Sequence, residues 1–295
     1  MHTILLTGVN GQVGWELRRS LQGLGTIHAP LRNQLDLGNP DALREAVRAL
    51  HPTLIVNPAA YTAVDKAESE ADAAYAINAT AAGVLAEEAK KLGIPLIHYS
   101  TDYVYTGDGT APWLETSPTG PTNVYGASKL AGEEAIRASG CQHLILRTSW
   151  VYGARGKNFL LTMLRFGRER EAMNIVADQI GAPTWCRTIA DLTAHIVASK
   201  PDWASVSGAY HLCNSGETSW HGFAEAIFAL AKARGEKVPA TLAGIPTEAY
   251  PTPAKRPKNS RMSLDKLRDT FGLVPPSWDE ALARCIEEVP AVIAG

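Results

Sequence analysis

Short, unbroken apolar runs recur through the first half of the chain, and each is followed by a stretch with helical periodicity. Ile4-Leu5-Leu6 and Leu54-Ile55-Val56 show this most plainly. Runs without polar alternation mark strands covered on both faces, as in parallel sheets flanked by helices. The pattern predicts strands over residues 3–7, 27–31, 54–57, 96–99 and 144–147, with helices over 12–24, 41–50, 72–92 and 123–138. Asp36-Leu37 falls where a further strand, third in chain order, would end. Such alternation gives an α/β fold, a doubly wound parallel sheet of the Rossmann type. After about residue 151 the regularity fades. Helices are predicted over 158–170, 184–198, 220–233, 263–271 and 277–289, and Pro246, Pro251, Pro253 and Pro257 mark an ordered loop between two of them.

Composition narrows the class. The chain has 295 residues, 45% hydrophobic, with a formal net charge of -2. That supports one large core, or a core with a smaller lobe. With no basic excess, nucleic acid is not an expected partner. The four cysteines, Cys141, Cys186, Cys213 and Cys285, form no C-x-x-C pair and read as thiols of a reducing compartment. The N-terminus carries no signal-peptide pattern, and no stretch approaches the roughly 18 apolar residues of a membrane span. A cytoplasmic protein is expected.

The first candidate chemistry lies in Gly8-Val9-Asn10-Gly11-Gln12-Val13-Gly14, between the first strand and first helix. Glycines permit a tight turn and close backbone approach, and a helix N-terminus offers free N–H groups to a pyrophosphate. Residues 1–150 are therefore expected to form a dinucleotide-binding domain. Residues 151–295 are expected to form mainly a smaller substrate-binding lobe, with later segments returning to the first domain. The end of the second strand, Leu31-Arg32-Asn33-Gln34, carries no acid and one arginine. An acid there would repel a 2′-phosphate. Its absence favours NADPH, with NADH also accepted, although Arg32 is equally readable as a solvated surface residue. Ala59, Ala60, Tyr61 and Thr62 follow the run 54–57, where small residues would let a nicotinamide pass close to the backbone.

Tyr125 and Lys129, four apart at the start of a predicted helix, share one helical face. Reducing a ketone needs a hydride on carbon and a proton on oxygen. A tyrosine titrates near about 10, and a neighbouring ammonium lowers that value. Thr101, at the carboxyl end of the strand before this helix, is the candidate hydroxyl for the carbonyl oxygen, with Ser100 as the alternative. Trp150 offers an aromatic face to a sugar ring, or is a core tryptophan. Arg256, Lys258 and Arg261 supply charge for a diphosphate, centred on Arg256 or Arg261, or form a solvated basic loop.

Together these segments resemble the extended short-chain dehydrogenase/reductases, and within them the dTDP-4-dehydrorhamnose reductases. The likeness is carried by Gly11 to Leu17, Thr62 to Glu68, His98 to Val104, Asn123 to Glu133, Arg147 to Tyr152, Asp178-Gln179 with Gly181 to Thr184, and Arg256-Pro257 with Asn259 to Arg261. The resemblance implies reduction of the 4-keto group of dTDP-4-dehydro-L-rhamnose by NADPH or NADH. It makes Tyr125 the proton donor, with Lys129 positioning it and the cofactor ribose and Thr101 tuning it. Val64, Asp102, Tyr103 and Trp150 would line the sugar pocket. Gly11, Gln12, Val13, Asp36, Leu37, Ala60, Tyr61 and Thr62 would contact the cofactor. Some members are metal-bridged homodimers. Glu16 is present here, but Arg187 stands where a carboxylate is expected, so no metal is carried over and a homodimer stays open. Two rivals share the fold. A nucleotide-sugar dehydratase or epimerase is one, but Tyr103 follows Asp102 where dehydratases have a second acid. A non-catalytic regulatory subunit of methionine adenosyltransferase is the other, against which the intact Thr101, Tyr125 and Lys129 argue.

Overall fold

The computed structural model describes residues 2–292. Six strands form the central sheet: β1 (His2–Leu6), β2 (Gly25–His28), β3 (Leu54–Asn57), β4 (Leu96–Thr101), β5 (His143–Thr148) and β6 (Gly208–His211). Their order is β6-β5-β4-β3-β1-β2, and every neighbouring pair is parallel. The chain moves from β1 to β2 at one edge, then crosses to β3 on the other side of β1. That reversal opens a crevice at the carboxyl ends of β1 and β3.

Two expectations need correction here. β2 ends at His28 rather than at residue 31, and residues 31–34 form a turn in which Gln34 N–H donates to the Leu31 carbonyl at 2.9 Å. No strand ends at Asp36-Leu37. Leu35 and Leu37 are buried, but Asp36 Oδ1 accepts from Gly38 N–H at 3.0 Å and closes a tight turn. Asn39 then caps the next helix at once, so no residues remain to pair with an edge strand. Leu54–Asn57 is consequently the third strand. β6 escaped prediction because its four residues are bounded by Gly208 and a buried polar His211 rather than by an apolar run.

The helices are α1 (Gln12–Ser20), α2 (Pro40–Leu50), α3, α4 (Val124–Ser139), α5 (Phe159–Glu169), α6 (Cys186–Ala198), α7 (Trp220–Ala233), α8 (Asp265–Phe271) and α9 (Trp278–Glu287). α3 comprises Ala71–Tyr75, a π turn over Ala76–Thr80, and Ala81–Leu92. Alternate strand residues point to opposite faces. Ile4, Leu6 and Val56 pack with Leu17 of α1 and Ile189 of α6, while Leu5 and Ile55 pack with Val47 of α2 and Leu85 of α3. Thus α6 and β6, both from beyond residue 151, complete the sheet unit. A separate core joins Leu160, Phe223, Ile227 and Leu282 from α5, α7 and α9. No helix among the described residues is long and apolar enough to cross a membrane. The four cysteines are free and buried.

Candidate active site

The glycine turn is fixed by contacts that exclude side chains. Gly8 has φ +58°, and a Cβ there would meet the Ala59 backbone at 2.8 Å. A Cβ on Gly14 would meet the Gly8 carbonyl oxygen at 2.2 Å. Gly11 caps α1 without a side-chain hydrogen bond, and no acid occupies the first helical turn. The first amides of α1 therefore have no intrahelical acceptor and carry the positive end of the helix dipole. This donor set, with glycines holding the backbone open, fits the pyrophosphate of a dinucleotide.

One cleft of about 1080 Å³ runs from this turn across the strand ends. That exceeds the roughly 300–1,000 Å³ of a pocket for one small ligand. It is lined by Gly8, Asn10, Gly11, Gln12, Val13 and Gly14, by Arg32, Asp36 and Leu37, and by Ala59, Ala60, Tyr61 and Thr62. Val64, Thr101, Asp102, Tyr103, Tyr125, Lys129 and Trp150 complete the sequence-derived set that it gathers. The segment after β3 is held by Asn78 of the π turn, whose amide accepts from Tyr61 N–H at 2.8 Å and donates to Ser128 Oγ of α4 at 2.9 Å. A Cβ on Gly132 would meet the Asn78 carbonyl at 2.1 Å, so α3 and α4 approach as closely as backbones allow. The π turn thus joins the segment after β3 to the helix that carries Tyr125 and Lys129.

α4 starts where Asn123 Oδ1 accepts from Gly126 N–H at 2.8 Å, which puts Tyr125 in its first turn and Lys129 one turn on. Burial pushes the Tyr125 phenol up to about 12, with the Thr101 hydroxyl opposing and Asp102 reinforcing the rise. Burial pulls Lys129 down to about 8, and Glu133 opposes that. The expected lowering of the phenol by the ammonium is therefore corrected. Lys129 Nζ donates to the Tyr99 carbonyl at 2.6 Å and lies 3.1 Å from His98 Nε2, so its bonds run to β4 rather than to the phenol. Thr101 Oγ1 accepts from Tyr103 N–H at 3.2 Å and donates to Asp102 Oδ1 at 3.0 Å. Asp102 is 2% exposed and its Oδ2 has no hydrogen-bond partner among the described residues. Burial pushes this carboxyl up to about 6. A buried, unsatisfied acceptor lining a cleft fits a ligand hydroxyl.

Residues 1–290 match the family described as RmlD substrate binding domain. A dTDP-4-dehydrorhamnose reductase of Burkholderia thailandensis is 50% identical over 97% of this chain and 98% of its own. That of Escherichia coli K12 is 48% identical over 97% of both. The crystal structure of the Bacillus anthracis dTDP-4-dehydrorhamnose reductase in complex with NADP superposes with a TM-score of 0.89 at 38% identity, covering 97% of this chain and 99% of that one. The chain belongs to the dTDP-4-dehydrorhamnose reductase family.

Among the residues lining this reductase-family cleft, Trp150 has φ +48° and stacks on Trp220 at 3.7 Å with an 11° interplanar angle. Trp220 Nε1 in turn donates to Gln179 Oε1 at 3.1 Å. Trp220, Glu70 and Lys157 also line the cleft, and sequence reasoning missed them. Glu70 accepts from the Tyr61 hydroxyl, a contact that no local spacing encodes. Trp220 opens a helix far along the chain, where it reads as an ordinary core residue.

The charges of the basic loop are paired within the protein. Arg256 lies outside the cleft lining, and Asp65 holds its guanidinium through two bonds of 2.9 Å. Arg261 Nε donates to Glu217 at 2.7 Å, and Lys258 pairs with Asp178 and Glu248. Asp65, Glu217 and Asp178 are distant in sequence, so these pairs tie the loop to the body of the protein, while Glu248 pairs within the loop itself. Arg187, for its part, pairs with Glu16 at 3.0 Å and with Glu288. Among the described residues no cluster of three or more His, Cys, Asp or Glu is arranged to hold a metal.

Proposed function

We propose that this protein reduces the 4-keto group of dTDP-4-dehydro-L-rhamnose to give dTDP-L-rhamnose, using NADPH and also accepting NADH. The observation that carries this is convergence: the glycine turn, Thr101, Tyr125 and Lys129 line one cleft. The bound nicotinamide cofactor supplies the hydride. The first turn of α1 would bind its pyrophosphate, and Arg32, exposed at the cleft edge, would pair with a 2′-phosphate. Tyr125 donates the proton to the carbonyl oxygen, with Thr101 hydrogen-bonding that oxygen. A phenol near 12 keeps its proton at neutral pH and releases it only to a strongly basic acceptor, such as an oxygen becoming an alkoxide. Lys129 orients the ribose, Asp102 Oδ2 accepts from a sugar hydroxyl, and Trp150 backs the ring. Four free thiols accord with a reaction carried out in the reducing cytoplasm.

The test is NADPH oxidation with dTDP-4-keto-6-deoxyhexose stereoisomers, with the product identified by NMR. Stoichiometric consumption with the L-rhamno substrate is expected. Retained cofactor with isomerised sugar and no net NADPH loss would overturn the reading in favour of an epimerase.

A further inference from the structure

His98 is fully buried on β4, next to Lys129, and the reaction as described does not use it. Its two ring nitrogens have different neighbours. Nε2 lies 3.1 Å from Lys129 Nζ, and Nδ1 lies 3.0 Å from Asn57 Nδ2, an orientation that exchanges with its flipped form by a half-turn of the amide. The far end of that amide meets Thr7 Oγ1 at 2.6 Å, and Thr7 lines the cleft beside Gly8. The four side chains make a polar row across β1, β3 and β4, from the glycine turn to the catalytic lysine.

Counting protons along the row leaves two consistent arrangements. A neutral imidazole has one N–H and one lone pair, and an ammonium has three donors and no acceptor. Burial and the neighbouring Lys129 hold His98 well below the usual histidine range, so the ring is neutral. If Lys129 is an ammonium, Nε2 must accept from it and Nδ1 must carry the proton. Asn57 must then turn its carbonyl oxygen to His98 and its NH2 to Thr7 Oγ1. The Thr7 hydroxyl proton is thereby freed for the cleft. In the opposite arrangement Asn57 donates to Nδ1, Thr7 donates to Asn57, Nε2 keeps the proton, and Lys129 must be an uncharged amine to receive it. The two differ by a half-turn of an amide whose oxygen and nitrogen have nearly the same shape. An ammonium at Lys129, donating at once to the Tyr99 carbonyl and to His98 Nε2, selects the first arrangement.

We propose that His98 is a positioning residue for Lys129: as the Nδ1–H tautomer it accepts one ammonium N–H, the Tyr99 carbonyl takes a second, and the third points to the cleft. The row also places the Thr7 hydroxyl as a donor toward whatever occupies the glycine turn. The tautomer assignment rests on the Lys129–His98 contact and on Lys129 being charged, and the kinetic consequence rests on the proposed reductase reading.

Nitrogen NMR of wild-type protein carrying isotope-labelled histidine reads the tautomer directly, with His98 assigned by the resonances lost in His98→Gln. A neutral ring protonated on Nδ1 is expected, and a ring protonated on Nε2 overturns the proposal. A high-resolution crystal structure should show the Thr7–Asn57 contact lengthened toward the roughly 2.9 Å of an N–H···O bond. His98→Leu removes the acceptor and should lower kcat about 10-fold or more with little change in KM for the sugar. His98→Gln, whose carbonyl oxygen can stand in for Nε2, should recover most of that loss. A folded His98→Leu protein with wild-type kcat overturns the positioning role, as does a kcat loss that Gln does not rescue. If His98→Leu does not fold, the wild-type spectrum still decides. Wild-type protein that isomerises the 4-keto sugar with no net NADPH consumption would sink the reductase reading and leave the tautomer result intact, which keeps the two failures distinct.

Discussion

The glycine turn and the proline-rich loop both point to anion binding in the sequence, one through backbone and the other through charge. Only the first lines the cleft. In the turn, Gly8 and Gly14 are demanded by atoms 2.2–2.8 Å away, so geometry leaves the amides of α1 open. In the loop, Arg256, Lys258 and Arg261 each meet a carboxylate from elsewhere in the chain. A backbone donor at a helix start has no competing partner within its own helix. A side-chain cation takes whatever acid the fold brings near, so its sequence neighbourhood says little about its final contact.

The largest effect should come from the chemistry beside the glycine turn. Tyr125→Phe removes the transferable proton and little packing, so turnover should fall by about 10²–10⁴-fold while NADPH titration shows affinity nearly unchanged. Near-normal turnover would remove Tyr125 from its role. Next, Gly14→Ala drives a methyl into the Gly8 carbonyl, a backbone atom that cannot swing aside. Unfolding free energy should drop by about 1–3 kcal/mol, and NADPH binding should weaken with it. An unaffected melting curve and cofactor titration would show the turn to be less rigid than its contacts indicate.

The pH profile comes third. Lys129 has a folded value near 8 against 10.5 for an ordinary lysine, so it loses its proton in the folded enzyme first. Turnover should fall as pH rises through about 8, where the ammonium is lost. Stability should move the other way. Between about 8 and 10.5 the unfolded chain binds the proton that the folded one has released, so this group's contribution rises with pH across that window. Rate and thermal-unfolding profiles that shift in the same direction would contradict this account.

Two arginine variants then sharpen the contrast between the regions. Arg32→Ala should weaken NADPH about 10-fold and NADH hardly at all, the loss of one charge-assisted contact. Equal loss for both cofactors would make Arg32 a bystander. Arg256→Ala should produce the smallest change, about 0.5–1 kcal/mol in chemical denaturation, because its pair with Asp65 is partly exposed. Its KM for the sugar nucleotide should stay within about 2-fold. A large rise in KM at unchanged stability would restore the loop to the binding site.

The sheet and most of the helices were legible because burial on two faces leaves an unbroken apolar run, and the 8–14 turn because sterics admit only glycine at its close approaches. Tyr125, Lys129 and Thr101 were legible through their positions at a helix start and a strand end. The absence of a strand at Asp36-Leu37 was not, since a strand needs a partner that the turn at Gly38 removes. β6 was hidden by its polar end, which pairs with β5 only after residues more than sixty apart come together.

The sequence by itself determined the glycine turn, the strand–helix alternation and the shared face of Tyr125 and Lys129, all consequences of local sterics and periodicity. Tertiary structure alone decided the partners of the buried and charged groups. It set the phenol's pKa by burial, gave Lys129 to Tyr99 and His98, and gave Arg256 to Asp65. Desolvation and ion pairing depend on what lies within a few ångströms in space, which distance along the chain does not report.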